Sequence, residues 1–160
     1  MTRRMGTTSL WVLLLATALL ASCNAGPGTG EDEQVTSLGD YEVTARLVEI
    51  PGEFIDRPMY DYAHVVKYEV LQVHRGDIGT DVIYVGHYNP LKPRSAVKDA
   101  RVDDVGGTLK KIRQGDVHRM ALTAPIDDYY MGGIINKYFE QGVDPVYWAV
   151  WTNPASGNPR

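Results

Sequence analysis

The stretch AHVVKYEVLQVHRGDIGTDVIYVGH, residues 63–87, constrains this chain more than any other. Val65, Val66, Tyr68, Val70, Leu71 and Val73 crowd one run of residues that favour extended backbone. Arg75-Gly-Asp-Ile-Gly-Thr follows with turn chemistry, and Asp81-Val-Ile-Tyr-Val-Gly-His87 resumes the extended pattern. Two strands about a Gly-Asp turn read as a hairpin. Val66, Tyr68 and Val70 fall on one face, while Val65, Leu71 and Val73 fall on the other. Apolar groups on both faces predict a bend or bulge near Lys67 to Glu69.

The rest of the chain keeps this habit. Tyr41 to Ile50 alternates Val43, Ala45 and Leu47 with Glu42, Thr44 and Arg46, and Pro51-Gly52 stops it. Val117 to Thr123 and Val146 to Trp151 read as two more strands. Ile134, Ile135, Tyr138 and Phe139 fit a short helix after Gly132-Gly133. Residues 90–112 carry no period that assigns them. Five irregularly spaced strands without a βαβ rhythm predict a mainly β fold: a small antiparallel barrel or sandwich, OB-like or Greek key, with one short helix.

The amino-terminal residues have the layout of an export signal. Arg3 and Arg4 precede an apolar run from Leu10 to Leu20, too short for a comfortable membrane span, and small residues follow it. Leu20-Ala21-Ser22-Cys23 resembles the bacterial lipobox, with Cys23, the chain's one cysteine, as acceptor. The resemblance implies a diacylglycerol on the Cys23 sulfur, cleavage before Cys23, and palmitate-type acyl chains holding the protein to the cell envelope. Asn24, rather than Asp, resembles the outer-membrane class where the host has two membranes. Residues 1–22 are then a signal peptide and 23–38 a lipidated tether rich in Gly and acids. Residues 39–153 form one β-rich domain and 154–160 a disordered tail. Losing Arg3 and Arg4 would take the formal charge from −4 to −6, which argues against a nucleic-acid partner.

No motif supplies an enzyme's equipment. There is no Gly-x-Ser-x-Gly, no metal-ligand spacing among the four histidines, and no phosphate loop around Lys110-Lys111. The histidines read as scattered, solvated or edge residues, and no cofactor or metal is expected. Ten tyrosines and three tryptophans offer either a binding face or core. The candidate binding residues are Tyr84, His87, Tyr88, Tyr147 and Trp148, near strand ends.

Residues 66–89, then IRQGDVHRMALTAPID and PVYWAVW, resemble a small β-domain of bacterial envelope proteins. Some such domains accompany SGNH-type or alginate-type acetyltransferase proteins. The resemblance brings no catalytic residue. The expected function is a non-enzymatic envelope lipoprotein that binds or scaffolds a protein or glycan. An accessory part or weak enzyme in polysaccharide modification is the alternative, and a purely structural lipoprotein the second.

Overall fold

The computed structural model describes residues 32–155. Its strands are β1 (Tyr41–Glu49), β2 (Tyr62–Arg75), β3 (Val82–Tyr88), β4 (Val117–Thr123), β5 (Gly133–Ile135) and β6 (Val146–Pro154), with one helix, α1 (Glu33–Ser37). The sheet order is β1-β4-β6-β3-β2-β5, and a further β1–β2 pairing closes five strands into a barrel. The expected mainly β barrel is therefore what this sequence forms. Its Greek-key closure is OB-like, with β5 added outside the ring. Pairing is antiparallel except for β3–β6 and β2–β5, so the closed ring is a mixed barrel and not the antiparallel one expected.

Closure needs bent strands, and the register slips supply them. The β1–β2 ladder shifts between Glu42 and Val43, between Thr44 and Ala45, and between Leu47 and Glu49. The last shift lies opposite Lys67 and Tyr68, so the irregularity expected near Lys67 to Glu69 sits across the ladder, on β1.

Alternation divides the strands between two apolar cores. Val43, Leu47, Val66, Tyr68, Ile83, Val85, Met120 and Leu122 point into the barrel. Ala63, Val65, Tyr88, Trp148 and Val150 point outward, yet they too are buried. Val97, Val102, Val105, Ile126 and Tyr130 cover them from the long connections on either side of β4. This second layer accounts for Val65 on the outer face of β2, whereas Leu71 and Val73, expected on the same face, belong to neither core and Val73 is exposed. Gly86 shows how closely the layer fits: a Cβ there would stand 2.3 Å from Cδ1 of Ile126.

Three expectations are corrected. The helix expected around Ile134 to Phe139 is strand β5 followed by a 3₁₀ turn at Phe139–Gln141. Ile134 and Ile135 are β-branched, and β2 offers them an open pairing edge at Tyr62–His64. Residues 32–38 belong to the domain, since α1 packs on β4 and β6 with Val35 buried. Five residues make a marginal helix alone, so tertiary fastening holds it. Asp32 caps it by accepting from Gln34 N at 3.0 Å, and also accepts from Trp151 Nε1 at 2.7 Å and Asn153 Nδ2 at 2.8 Å. Arg75 grips the carbonyls of Thr36 and Leu38 from below. Finally, β6 runs on to Pro154 rather than fraying after Trp151. The signal, the Cys23 acceptor and the rest of the expected tether lie outside the described residues. Among the described residues no helix is long and apolar enough to cross a membrane.

Candidate functional site

The expected binding residues separate when the barrel closes. His87 and Trp148 are 0% exposed, Tyr88 is 1% and Tyr147 7%, so they are core residues and not a solvent-facing cluster. Trp148 stacks on Tyr130 with ring centroids 5.1 Å apart, and both lie beside Tyr88 in the outer layer. His87 points the other way, into the barrel. Only Tyr84 and Tyr147 keep an edge on a cleft.

Inside the barrel lies a polar cluster that the spacing along the chain did not reveal. Tyr68 Oη is 3.0 Å from His87 Nε2 and 2.8 Å from His118 Nδ1. The phenol has one proton, so it donates to one ring and accepts from the other. Whichever way it turns, one ring N–H and one ring lone pair remain, and neither His87 Nδ1 nor His118 Nε2 has a partner. Such an orphaned donor costs about 1–3 kcal/mol. The cluster therefore keeps both imidazoles neutral. Burial, aided by the Arg94 guanidinium, lowers the His118 value to about 4 and holds His87 well below its ordinary value. Burial likewise raises Tyr68. Strand parity was the available signal: Tyr68 shares a face with Val66, His87 with Val85, and His118 with Met120. The expectation that the histidines are solvated or at edges is corrected for His64, His87 and His118, all buried. Among the described residues no group of three or more His, Cys, Asp or Glu side chains could hold a metal ion.

Arg94 is the second buried surprise. Its guanidinium donates to the carbonyls of Tyr88 at 2.8 Å, Asn89 at 2.7 Å and Lys92 at 2.9 Å. It staples the turn that leaves β3, and burial lowers its value to about 10.

One accessible cleft, of about 450 Å³, opens on the side of the barrel between α1, residues 98–105 and Trp151, and the others lie at its two ends. β1 and β3 finish, β2 and β4 begin, and β6 finishes at one end, as the pairs Ala63–Tyr88, Arg46–Val117 and His118–Pro154 show. This mouth end carries a groove of about 210 Å³ between residues 55–62 and 89–92. Tyr60 stacks on Tyr62 there at 5.5 Å. Asp61 accepts from Asn89 Nδ2 at 2.8 Å and pairs with Lys92 at 3.4 Å and Arg101 at 3.7 Å.

The far end carries a larger cleft in two parts, of about 480 and 510 Å³, which share Val143 and Asp144 as a common wall. One part sets Ile126, Ile134, Val146 and the 80% exposed Phe139 beside Asp127, Asn136 and Asp144. The other is polar and aromatic, with Tyr41, Asp77, Thr80, Tyr84, Gln141 and Tyr147. Tyr41 meets Tyr147 edge to face at 5.2 Å. Asp77, Asp127 and Asp144 line the cleft, and among the described residues no Lys or Arg does. Residues 136–145 carried no binding signal in the sequence, because exposure of a lone Phe139 depends on the turn that holds it. None of the family models, curated proteins or solved structures compared with the chain matches it.

Proposed function

We propose that this chain is a lipid-anchored envelope scaffold, without catalytic chemistry of its own, that holds a protein partner in its far-end cleft. The single observation behind this reading is the cleft's make-up: an apolar floor, an exposed Phe139, and three aspartates with no opposing cation. Interfaces centre on aromatic and aliphatic anchors within a polar rim. The partner that fits presents an apolar side chain flanked by Lys or Arg, whose charge complements Asp77, Asp127 and Asp144. Cys23, in its lipobox-like setting, supplies the anchor, and two or three acyl chains make a stable one.

A photo-crosslinker at position 139 in the otherwise native chain tests this in cells. One protein should be captured, and its capture should fall when Asp127→Lys and Asp144→Lys reverse the rim. Capture that ignores the reversal would remove the complementarity argument, and capture of no protein would remove the scaffold. The mass of the amino-terminal peptide tests the lipid separately.

A glycan in the polar half of the cleft is the second reading. Tyr41, Tyr84 and Tyr147 offer ring edges there beside the hydrogen-bonding groups of Asp77, Thr80 and Gln141. Glycan adducts lost in Tyr84→Ala, without a protein adduct from position 139, would favour it. This is also the form in which the chain would serve polysaccharide modification as an accessory.

A further inference from the structure

Met59 and Met131 are the two most exposed large apolar side chains among the described residues, at 98% and 93%. The topology brings them to the same end of the barrel. β5 runs parallel to β2 with Gly133 opposite Tyr62, so the residues entering both strands emerge side by side. A Cβ on Gly133 would lie 3.7 Å from Tyr60 Oη, which places the Tyr60 ring between the two methionine loops. Half-exposed Leu91 adds to the same surface.

The surface is held in place. Tyr62 Oη accepts from Ile55 N at 2.7 Å and contacts Ile55 O at 3.2 Å, closing the loop that carries Met59. Asp61 ties that loop to the turn after β3 through Asn89 and Lys92. Met59 itself takes φ +63, a left-handed conformation uncommon outside glycine. Met59, Met131, Leu91 and the Tyr60 ring together make one exposed apolar surface rather than scattered single side chains.

The chain's own connectivity points to what that surface meets. Asp32 is fastened to Trp151 and Asn153 near the end of β6, and β6 finishes at the mouth end. Cys23 lies nine positions before Asp32. Nine residues reach at most about 30 Å when fully extended. An acylated Cys23 therefore keeps the mouth within reach of the bilayer. Arg57 and Lys92 line the groove beside Met59 together with Asp56 and Asp61, and Asp61 also pairs with Arg101, so the mouth offers cations to anionic headgroups within a mixed charge set.

We propose that the mouth seats on the phospholipid surface, with Met59 and Met131 entering the boundary between headgroups and acyl chains and Tyr60 lying at the interface. The inference rests on the lipid-anchor reading. Its consequence is orientation: the seated mouth turns the far-end cleft away from the bilayer, toward a partner.

The test uses the chain from Cys23 onward, coupled through the Cys23 thiol to a maleimide phospholipid in nanodiscs of phosphatidylethanolamine and phosphatidylglycerol. Chemical coupling separates the seat from acylation in the cell, which the amino-terminal peptide mass reads on its own. Residues 23–160 contain three methionines, Met59, Met120 and Met131, and Met120 is buried in the barrel. With ¹³C-methyl methionine, a water-soluble gadolinium chelate should broaden Met59 and Met131 strongly in the uncoupled chain. On the discs that broadening should fall about fivefold or more, as expected for side chains sunk into the interface, with Met120 unchanged. Met59→Asp should re-expose Met131. Undiminished broadening on the discs overturns the proposal. Protection seen only in native membranes also overturns it, since a protein and not lipid would then cover the mouth.

Discussion

The barrel interior and the layer wrapped outside it are both apolar cores, but they are built by different means. The interior is closed by backbone ladders on every side and tolerates a buried Tyr68–His87–His118 cluster at its centre. On its covering side the outer layer has one short bridge, Gly106 beside Trp151 of β6. It is made of side chains from two long connections laid over β2, β3 and β6, with Trp148 and Tyr130 stacked at its middle. The difference teaches where polar groups can be stored. Ladders hold a frame rigid enough to bury imidazoles, whereas a layer made of loops relies on aromatic area.

The largest effect should come from the outer layer. Trp148→Ala removes its central ring and should cost about 4 kcal/mol, as much as an interior deletion such as Leu47→Ala. Urea unfolding of the two variants measures this. A loss below about 1 kcal/mol would mean that the layer peels away independently of the barrel.

Acid should single out the interior. A histidine whose value is lower in the folded chain than in the unfolded chain binds fewer protons when folded, so stability rises with pH. For His118 the window runs from about 4 to the ordinary 6.5. Its full contribution is present above that window and about 3 kcal/mol is lost on falling through it. His87 adds to the loss in the same direction. Unfolding midpoints at pH 7 and 4.5 should show the fall, and His118→Phe should flatten it. An equal slope in His118→Phe would place the acid sensitivity elsewhere.

A smaller effect tests the contact between the two cores. Gly86→Ala forces its new methyl against Ile126 and should cost about 2 kcal/mol, with Ile126→Val restoring part of it. Calorimetry of the single and double variants reads the coupling. The smallest effect belongs to Phe139→Ala, within about 0.5 kcal/mol in stability because the side chain touches little. The same substitution should nonetheless weaken partner binding, which a stability assay alone would miss.

How much of this was legible in the sequence follows the same division. Alternation in β1, β2 and β4 gave the strands and their inward residues, because a period of two survives wherever one face must be buried. Of the second apolar face read on β2, only Val65 marks the outer layer, since Leu71 and Val73 lie outside it, and nothing in the pattern said what covered Val65. Val97, Val102 and Val105 lie in a connection without regular structure, so no period marks them. Arg94 was unreadable for a related reason: a single cation is buried only because three carbonyls of one turn converge on it. The binding residues expected from aromatic content were mostly core, since strand-end tyrosines and tryptophans fill the outer layer. Tyr84 and Tyr147 reach the cleft only by the turn of the chain at residues 141–145.

The far-end cleft is the centre of this account, and hydrogen exchange on the protein in its native membranes tests it most directly. Backbone amides of residues 136–146 should exchange several-fold more slowly in membranes than in the purified chain, as expected for an exposed segment covered by a partner. The ladders of β1, β2 and β4 should be equally protected in both. Equal, fast exchange of residues 136–146 in membranes and in isolation would contradict the scaffold reading.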